Sequence, residues 1–298
     1  MDELVTADTL ISASFVDTRT YKETGRAPAC KEPHHLMATP DDSSVIVACA
    51  ISNELVFFDA KTGKEQKRIK NISDPYQLGF SPDNKWFVAN SLRLDRVDIY
   101  KAADFTLVAR VPAASTPSHM AFDKASQFVF ITLQDSNEVL AIDLKTQQPL
   151  WKVPVGPTPA GIHMTPDDKY LLVGIMGANY VEVIDWRARK TIKKIITDKA
   201  AHNFLPRGDG RHVFVSNRTV QGSISLVDMK TLTEVEKYDV PGGPDDMEIR
   251  ADGKELWATA RFARKVQVVD LDQKKLARSI PVGRSPHGVS FINHAGRQ

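Results

Sequence analysis

The sequence predicts an all-β fold built from repeats, on three observations. First, a residue closing an alternating apolar run recurs at near-constant spacing: Asp17, Asp59, Lys101, Asp143, Asp185, Asp228 and Asp270 lie 42, 42, 42, 42, 43 and 42 residues apart. Second, the column Pro33, Pro75, Pro117, Pro159, Ala201, Pro244 and Pro286 keeps the same register, with the same single 43 before Pro244. Third, turn sequences such as Thr39-Pro40-Asp41-Asp42, Ser81-Pro82-Asp83-Asn84 and Thr165-Pro166-Asp167-Asp168 fall between the two columns. Repeats of about 42 residues with four short strands each describe a β-propeller. The expectation is one domain over residues 1–298, a seven-bladed β-propeller with four antiparallel strands per blade.

Each unit opens on its proline with a short apolar strand, as in Pro159-Ala160-Gly161-Ile162-His163-Met164. The turn follows, because Pro presets φ and Asp, Asn or Gly suit the next positions. A second strand comes next, such as Val45-Ile46-Val47-Ala48 or Trp86-Phe87-Val88-Ala89. The third strand has a period of two and β-branched residues, as in Val181-Glu182-Val183-Ile184 before Asp185. A more polar fourth strand follows each Asp, such as Lys64-Glu65-Gln66-Lys67-Arg68-Ile69, and its charge suits a solvent-facing edge. The extra residue of the 43-residue unit lies between Ala201 and Asp228, and the loop after Asn217 is the place expected to hold it. The last unit stops after Pro286–Phe291, while Leu4–Ala7 aligns with a second strand and Ser14–Asp17 with a third. The last blade is therefore expected to combine one C-terminal and three N-terminal strands.

Composition excludes several classes. A 298-residue chain with 42% hydrophobic and 26% charged residues is ordinary for a globular protein. A net charge of +2 gives no global attraction to nucleic acid. No apolar run approaches the ~20 residues of a transmembrane helix. The start, Met1-Asp2-Glu3-Leu4-Val5, lacks the basic and apolar regions of a signal peptide. The two cysteines, Cys30 and Cys49, form no Cys-x-x-Cys motif. They are either isolated thiols or one disulfide, since both fall near the same end of one unit.

Particular stretches add a resemblance. Gly208-Asp209-Gly210-Arg211-His212-Val213-Phe214-Val215-Ser216-Asn217 leads to Gly222-Ser223-Ile224-Ser225-Leu226-Val227-Asp228. Ala251-Asp252-Gly253-Lys254 and Pro286-His287-Gly288-Val289 supply further parts. Together they resemble the YVTN β-propeller repeat family along the whole chain. The resemblance implies a periplasmic or cell-surface address. It also implies relatives as varied as binding modules, lactonases, redox-enzyme subunits and the haem-d-binding propeller of nitrite reductase. No catalytic signature of that family carries over.

Ligand sites favour concave mouths, so the two residues after each register proline are read as a ring at a channel mouth. The first position holds His34, Tyr76, Ser118, Ala160, His202, Asp245 and His287, and the second holds His35, Gln77, His119, Gly161, Asn203, Asp246 and Gly288. His34, His202 and His287 stand where the resembled repeat often has His, whereas His35 and His119 stand where it has Gly. His163 is placed one step deeper, and His212 and His294 are read as incidental. A metal set of His35, His119, His202, His287, Asp245 and Asp246 is a candidate, because imidazole and carboxylate groups suit transition metals. Arg93, Arg96, Arg218, Arg261 and Arg264, with Arg284, fall in loops of the same face. They are candidate contacts for an anionic cofactor such as a haem-like tetrapyrrole, or else solvated charges. The tryptophans are expected to pack between blades, and the Asp column to bond turn backbone. No Gly-rich phosphate loop, nucleophile elbow or His-Glu-x-x-His is present. The favoured expectation is a monomeric, non-catalytic propeller binding a small molecule or another protein at its channel mouth. The alternatives are a metal- or tetrapyrrole-dependent redox protein or carrier, and a lactonase-type hydrolase.

Overall fold

The computed structural model describes residues 3–8 and 12–291. Among them the regular elements are strands and one 3₁₀ turn, Leu92–Leu94. The chain begins with β1 (Glu3–Asp8), β2 (Ser12–Asp17) and β3 (Lys22–Pro28), then β4 (Pro33–Ala38), β5 (Ser44–Cys49), β6 (Glu54–Asp59) and β7 (Glu65–Lys70). It continues with β8 (Pro75–Phe80), β9 (Trp86–Ser91), β10 (Arg96–Lys101), β11 (Leu107–Pro112), β12 (Pro117–Phe122), β13 (Phe128–Leu133), β14 (Glu138–Asp143) and β15 (Gln148–Pro154). Next come β16 (Pro159–Met164), β17 (Tyr170–Ile175), β18 (Tyr180–Asp185), β19 (Lys190–Ile196), β20 (Ala201–Pro206), β21 (His212–Asn217), β22 (Ser223–Asp228) and β23 (Thr233–Asp239). The last are β24 (Pro244–Ile249), β25 (Glu255–Ala260), β26 (Lys265–Asp270), β27 (Lys275–Pro281) and β28 (Pro286–Phe291). No helix among the described residues is long and apolar enough to cross a membrane.

Blades made of uninterrupted chain number six, not seven: β4–β7, β8–β11, β12–β15, β16–β19, β20–β23 and β24–β27 each form a four-stranded antiparallel sheet. The last repeat ends after its first strand, so the remaining sheet is a composite of the two chain ends, ordered β28-β1-β2-β3. Its seam is antiparallel and pairs Leu4 with Phe291 and Thr6 with Val289.

The chain divides into two compact units, one running to Ser73 and resuming at Asn203, the other spanning Asp74–His202. In each, apolar clusters lie between neighbouring sheets. The second unit packs Val88, Ile99, Met120 and Ile131 in one cluster, and Phe130, Ile162, Val173 and Trp186 in another. The first unit packs Val16, Trp257, Val268 and Phe291 where the composite sheet meets β24–β27. Trp257 and Trp186 are thus core residues between blades. Fourth strands such as β7 and β19 are exposed, as their charge requires.

The turns follow the sequence signals. Where the column holds Asp, its carboxylate bonds the turn after the third strand: Asp17 accepts from the Arg19 and Thr20 N–H groups, Asp59 from Lys61 and Thr62, and Asp228 from Lys230 and Thr231. The loop between Asn217 and Ser223 has five residues, where Cys49–Glu54 and Ala260–Lys265 enclose four.

First and second strands share an irregularity. Pro33 pairs with Cys49 and Leu36 with Val47, so His34 and His35 together oppose Ala48. The same two-against-one bulge sets residues 118–119 against Thr132 and residues 245–246 against Thr259. Bulges re-aim side chains and recur beside functional sites.

Where the opposing residue carries a hydroxyl or amide, it bonds across to the next blade. Thr132 receives the His119 N–H at 3.0 Å and donates to the Ala160 carbonyl at 2.6 Å. Ser216 does so for Asn203 N–H and Asp245 O, at 3.0 and 2.9 Å. Thr259 does so for Asp246 N–H and His287 O, at 3.0 and 2.8 Å. Asn90 donates to Ser118 O at 2.7 Å. At the equivalent Gly174, a Cβ would lie 2.9 Å from the carbonyls of Ala201 and His202, so only glycine admits that approach.

Two expectations follow. Thr259→Val leaves the Asp246 N–H and His287 C=O without this partner and should cost about 1–3 kcal/mol in urea unfolding; an unchanged midpoint would remove the bridge from the account. Deleting residues 1–20 removes β1 and β2 and should abolish the cooperative thermal transition seen by circular dichroism, whereas a melt like that of the full chain would show that the composite sheet is dispensable.

Candidate functional site

In the first unit the bulges of β4, β24 and β28 bring charged and ionisable groups together. His34 and His35 are buried, and their Nδ1 atoms are 3.0 Å apart. His287 is fully buried, with its ring centroid 3.8 Å from His34 and 4.4 Å from His35. Gly288 permits this approach: a Cβ there would meet the Leu36 nitrogen at 2.6 Å and the His34 carbonyl at 3.0 Å.

Asp245, also fully buried, sits beside the imidazoles, with Oδ2 3.5 Å from His287 Nε2. Two guanidinium groups from different loops neutralise it. Arg218 NH1 lies 3.4 Å from both carboxylate oxygens, and Arg261 NH1 lies 3.2 Å from Oδ2. Arg261 also donates from Nε to the Ser285 hydroxyl at 3.0 Å. Burial, and next the charge of Asp245, push the Asp246 carboxyl well above the usual carboxylate range. Burial and the neighbouring His34 push His287 well below the ordinary histidine value, against the opposing pull of Asp245.

In the second unit His119 has the Ser118 hydroxyl 2.7 Å from Nδ1, and Gln134 donates to that hydroxyl at 2.7 Å. The His119 ring meets Tyr76 and His202 edge-on, at centroid distances of 5.9 and 5.2 Å. Gln77 accepts the Met120 N–H at 2.6 Å. Asn203, in the first unit, is buried and its N–H bonds the Ser216 hydroxyl. His163 keeps partial solvent contact, yet burial pushes its pKa down to about 4.

The structure sorts the sequence candidates. Of the proposed metal set, His35 and His287 come together and Asp245 adjoins them, while His119 and His202 pair in the second unit. Among the described residues, the group with metal-ligand spacing is His34, His35 and His287. The sequence places His34 in the ring but not in the proposed metal set.

Four of the candidate arginines are ion-paired rather than merely solvated. Arg93 grips Asp74 through Nε and NH2, at 2.9 and 2.7 Å. Arg96 pairs with Asp98 at 3.0 Å, and Arg218 and Arg261 hold Asp245. Arg264 is exposed. His212 bonds Asp209 in its own turn at 2.7 Å, and His294 lies outside the described residues. The cysteines form a disulfide, Cys30–Cys49, with Cα atoms 5.9 Å apart. The hydroxyl bridges escaped the sequence reading, although Asn90, Thr132, Ser216 and Thr259 form a column at the repeat spacing.

With this geometry in place, comparison with known proteins identifies the family. A family described as YNCE-like β-propeller matches residues 4–297. The chain belongs to that family. The match carries the propeller part of the resemblance drawn from the repeats, but not its repeat name. No curated protein sequence matches the chain.

Solved structures share the propeller fold at low identity. A functionally unknown protein from Desulfotomaculum acetoxidans is similar with a TM-score of 0.85 and 14% identity, over 100% of both chains. Kuenenia stuttgartiensis hydrazine synthase gives 0.74 and 15%, over 88% of this chain and 95% of that one. Dihydro-heme d1 dehydrogenase NirN, in complex with DHE, gives 0.70 and 14%, over 97% and 75%.

The neutral state of His163 has a measurable consequence. Its folded pKa of about 4 lies below the ordinary value near 6.5, so the unfolded chain takes up a proton first as pH falls. Its contribution is complete above about pH 6.5 and is lost as pH falls towards about 4. His163→Gln should remove a stability decline on the order of 2–3 kcal/mol over that window. Denaturant melts of both proteins at several pH values check this; parallel profiles would refute it.

Proposed function

We propose that this YNCE-like β-propeller is a binding protein whose ligand is held at the end of the first unit where the bulges of β4, β24 and β28 lie. One observation carries the reading: a carboxylate and three imidazoles at strand starts are gathered with two guanidinium groups from loops, all from well-separated parts of the chain. Buried charge of this kind is a poor source of stability, because desolvation offsets most of the Coulomb gain. The ligand class it fits is a small anion or an anionic cofactor. Arg218, Arg261 and the exposed Arg264 supply positive charge, and the half-exposed Phe262 offers an apolar face beside them.

A second reading, a tetrapyrrole carrier, draws support from NirN, a structure of similar fold solved with DHE. Imidazoles would serve as axial ligands and arginines would hold the carboxylates. The Cys30–Cys49 disulfide supports an oxidising compartment, the periplasm or the cell surface.

The test is a thermal-shift titration of the purified chain with citrate, benzoate and haemin as probes, with visible spectra recorded alongside. A binding probe should raise the melting temperature, by an amount equivalent to about 2.7 kcal/mol at 100 times its Kd. Arg261→Gln should weaken the response. Wild-type protein that responds to none of these probes would count against the reading.

A further inference from the structure

We infer that His34, His35 and His287 form a site for one late first-row transition-metal ion, of the zinc, copper, nickel or cobalt class. The inference deepens the binding reading and takes from it only the location.

Three geometric facts carry it. One imidazole nitrogen from each of these residues lies within 4.8 Å of the other two, and all three side chains are buried. The His34 and His35 Nδ1 atoms are 3.0 Å apart. Two imidazole nitrogens bound to one zinc ion at about 2.0–2.1 Å stand roughly 2.9–3.4 Å apart, for bond angles between square and tetrahedral. A hydrogen bond between the two rings would explain that distance alone. It would not explain why a third imidazole, 253 residues from His34 in sequence, lies against both rings at 3.8 and 4.4 Å.

The backbone prepares the site. In a regular strand, neighbouring residues point to opposite faces and could not share a metal. His34 and His35 share one because the ladder between Pro33↔Cys49 and Leu36↔Val47 is bulged. The third ligand is brought in by Gly288, whose missing Cβ lets β28 close on β4.

Around the ligands, the Asp245 carboxylate stands 3.5 Å from His287 Nε2, where it can orient the ring as metal-bound imidazoles are commonly oriented. The donor set fixes the metal class. Three nitrogen donors suit zinc, copper, nickel or cobalt, while magnesium and calcium want oxygen. Three protein ligands also leave one coordination position for an exogenous group. Arg218 and Arg261 add positive charge at the Asp245 that adjoins His287.

The experiment is calorimetric titration of chelator-treated, full-length protein with Zn(II) and with Co(II), the visible spectrum of the cobalt form being recorded as well. One ion per chain is expected. His35→Gly, which places at the bulge the residue that Gly161 and Gly288 already supply elsewhere, should weaken binding at least about 100-fold. His119→Gly, in the second unit, should leave it unchanged. A melting curve for each variant separates lost folding from lost binding. If His35→Gly does not fold, His34→Gln replaces it. Wild-type protein that binds neither ion, or a folded ligand variant that binds like wild type, overturns the inference. Anion binding that persists in chelated, metal-free protein would show that the binding reading stands while the metal does not. Metal binding without any response to citrate, benzoate or haemin would show the reverse.

Discussion

Neighbouring first strands are tied together by side-chain hydroxyls, one of which reaches the candidate site at the His287 carbonyl. Thr132, Ser216 and Thr259 each satisfy a bulged N–H in their own sheet and a carbonyl in the next one. Each such hydrogen bond contributes only about 0.5–1.5 kcal/mol net, but an orphaned buried partner costs about 1–3. The bridges therefore set the spacing of neighbouring first strands more firmly than apolar packing alone, which tolerates sliding. Gly174 shows the alternative: where no hydroxyl stands, the backbone itself moves into contact distance.

The same irregularity separates function from the core. Ladder residues of the first strand must alternate faces and pack, whereas the two bulge residues are released from pairing and can both turn to one side. Apolar residues at 36, 78, 120 and 162 keep the blades packed, while the pair before the first three carries polar groups, His34-His35, Tyr76-Gln77 and Ser118-His119. The arrangement has an electrostatic cost. Asp245 is tolerated because Arg218 and Arg261 reach it, while burial, and next the charge of Asp245, push the carboxyl of its neighbour Asp246 well above the usual carboxylate range.

Much of this was legible in the sequence, for a definite reason. A 42-residue period repeats the same physical demands, so strand order, turn chemistry, the Asp caps, the composite sheet and the five-residue loop after Asn217 all follow from comparing one unit with the next. Convergence does not follow from a period. The ring positions could be named, but which imidazoles touch depends on side-chain direction within each bulge, and on Gly288 admitting β28 against β4. The carboxylate partners of Arg93, Arg218 and Arg261 could not be named from the repeat, because Asp74 and Asp245 lie 16 to 27 residues away and meet them only in the folded chain, whereas Arg96 pairs with Asp98 two residues on. Cys30 and Cys49 stayed ambiguous because 19 residues of separation say nothing about Cα distance, whereas the pairing of Pro33 with Cys49 brings the two within bonding reach.

The imidazole cluster lies at the junction where the sheet closes. His287 lies on β28, which completes the composite sheet, and His34 and His35 lie on β4 of the neighbouring blade. The N-terminal strands hold β28 by backbone pairing, and the turn after β2 clasps the next blade, with Tyr21 stacked on Trp257 and donating to Glu255 at 2.6 Å. A ligand held jointly by β4 and β28 adds a cross-link at that junction. By mass action it stabilises only conformations in which the two strands are together, by RT ln(1 + [L]/Kd). Opening of the composite sheet and release of the ligand then become the same event. The most cooperative part of the fold would be the part where a ligand is held, because the residues that bring the chain ends together also assemble the site.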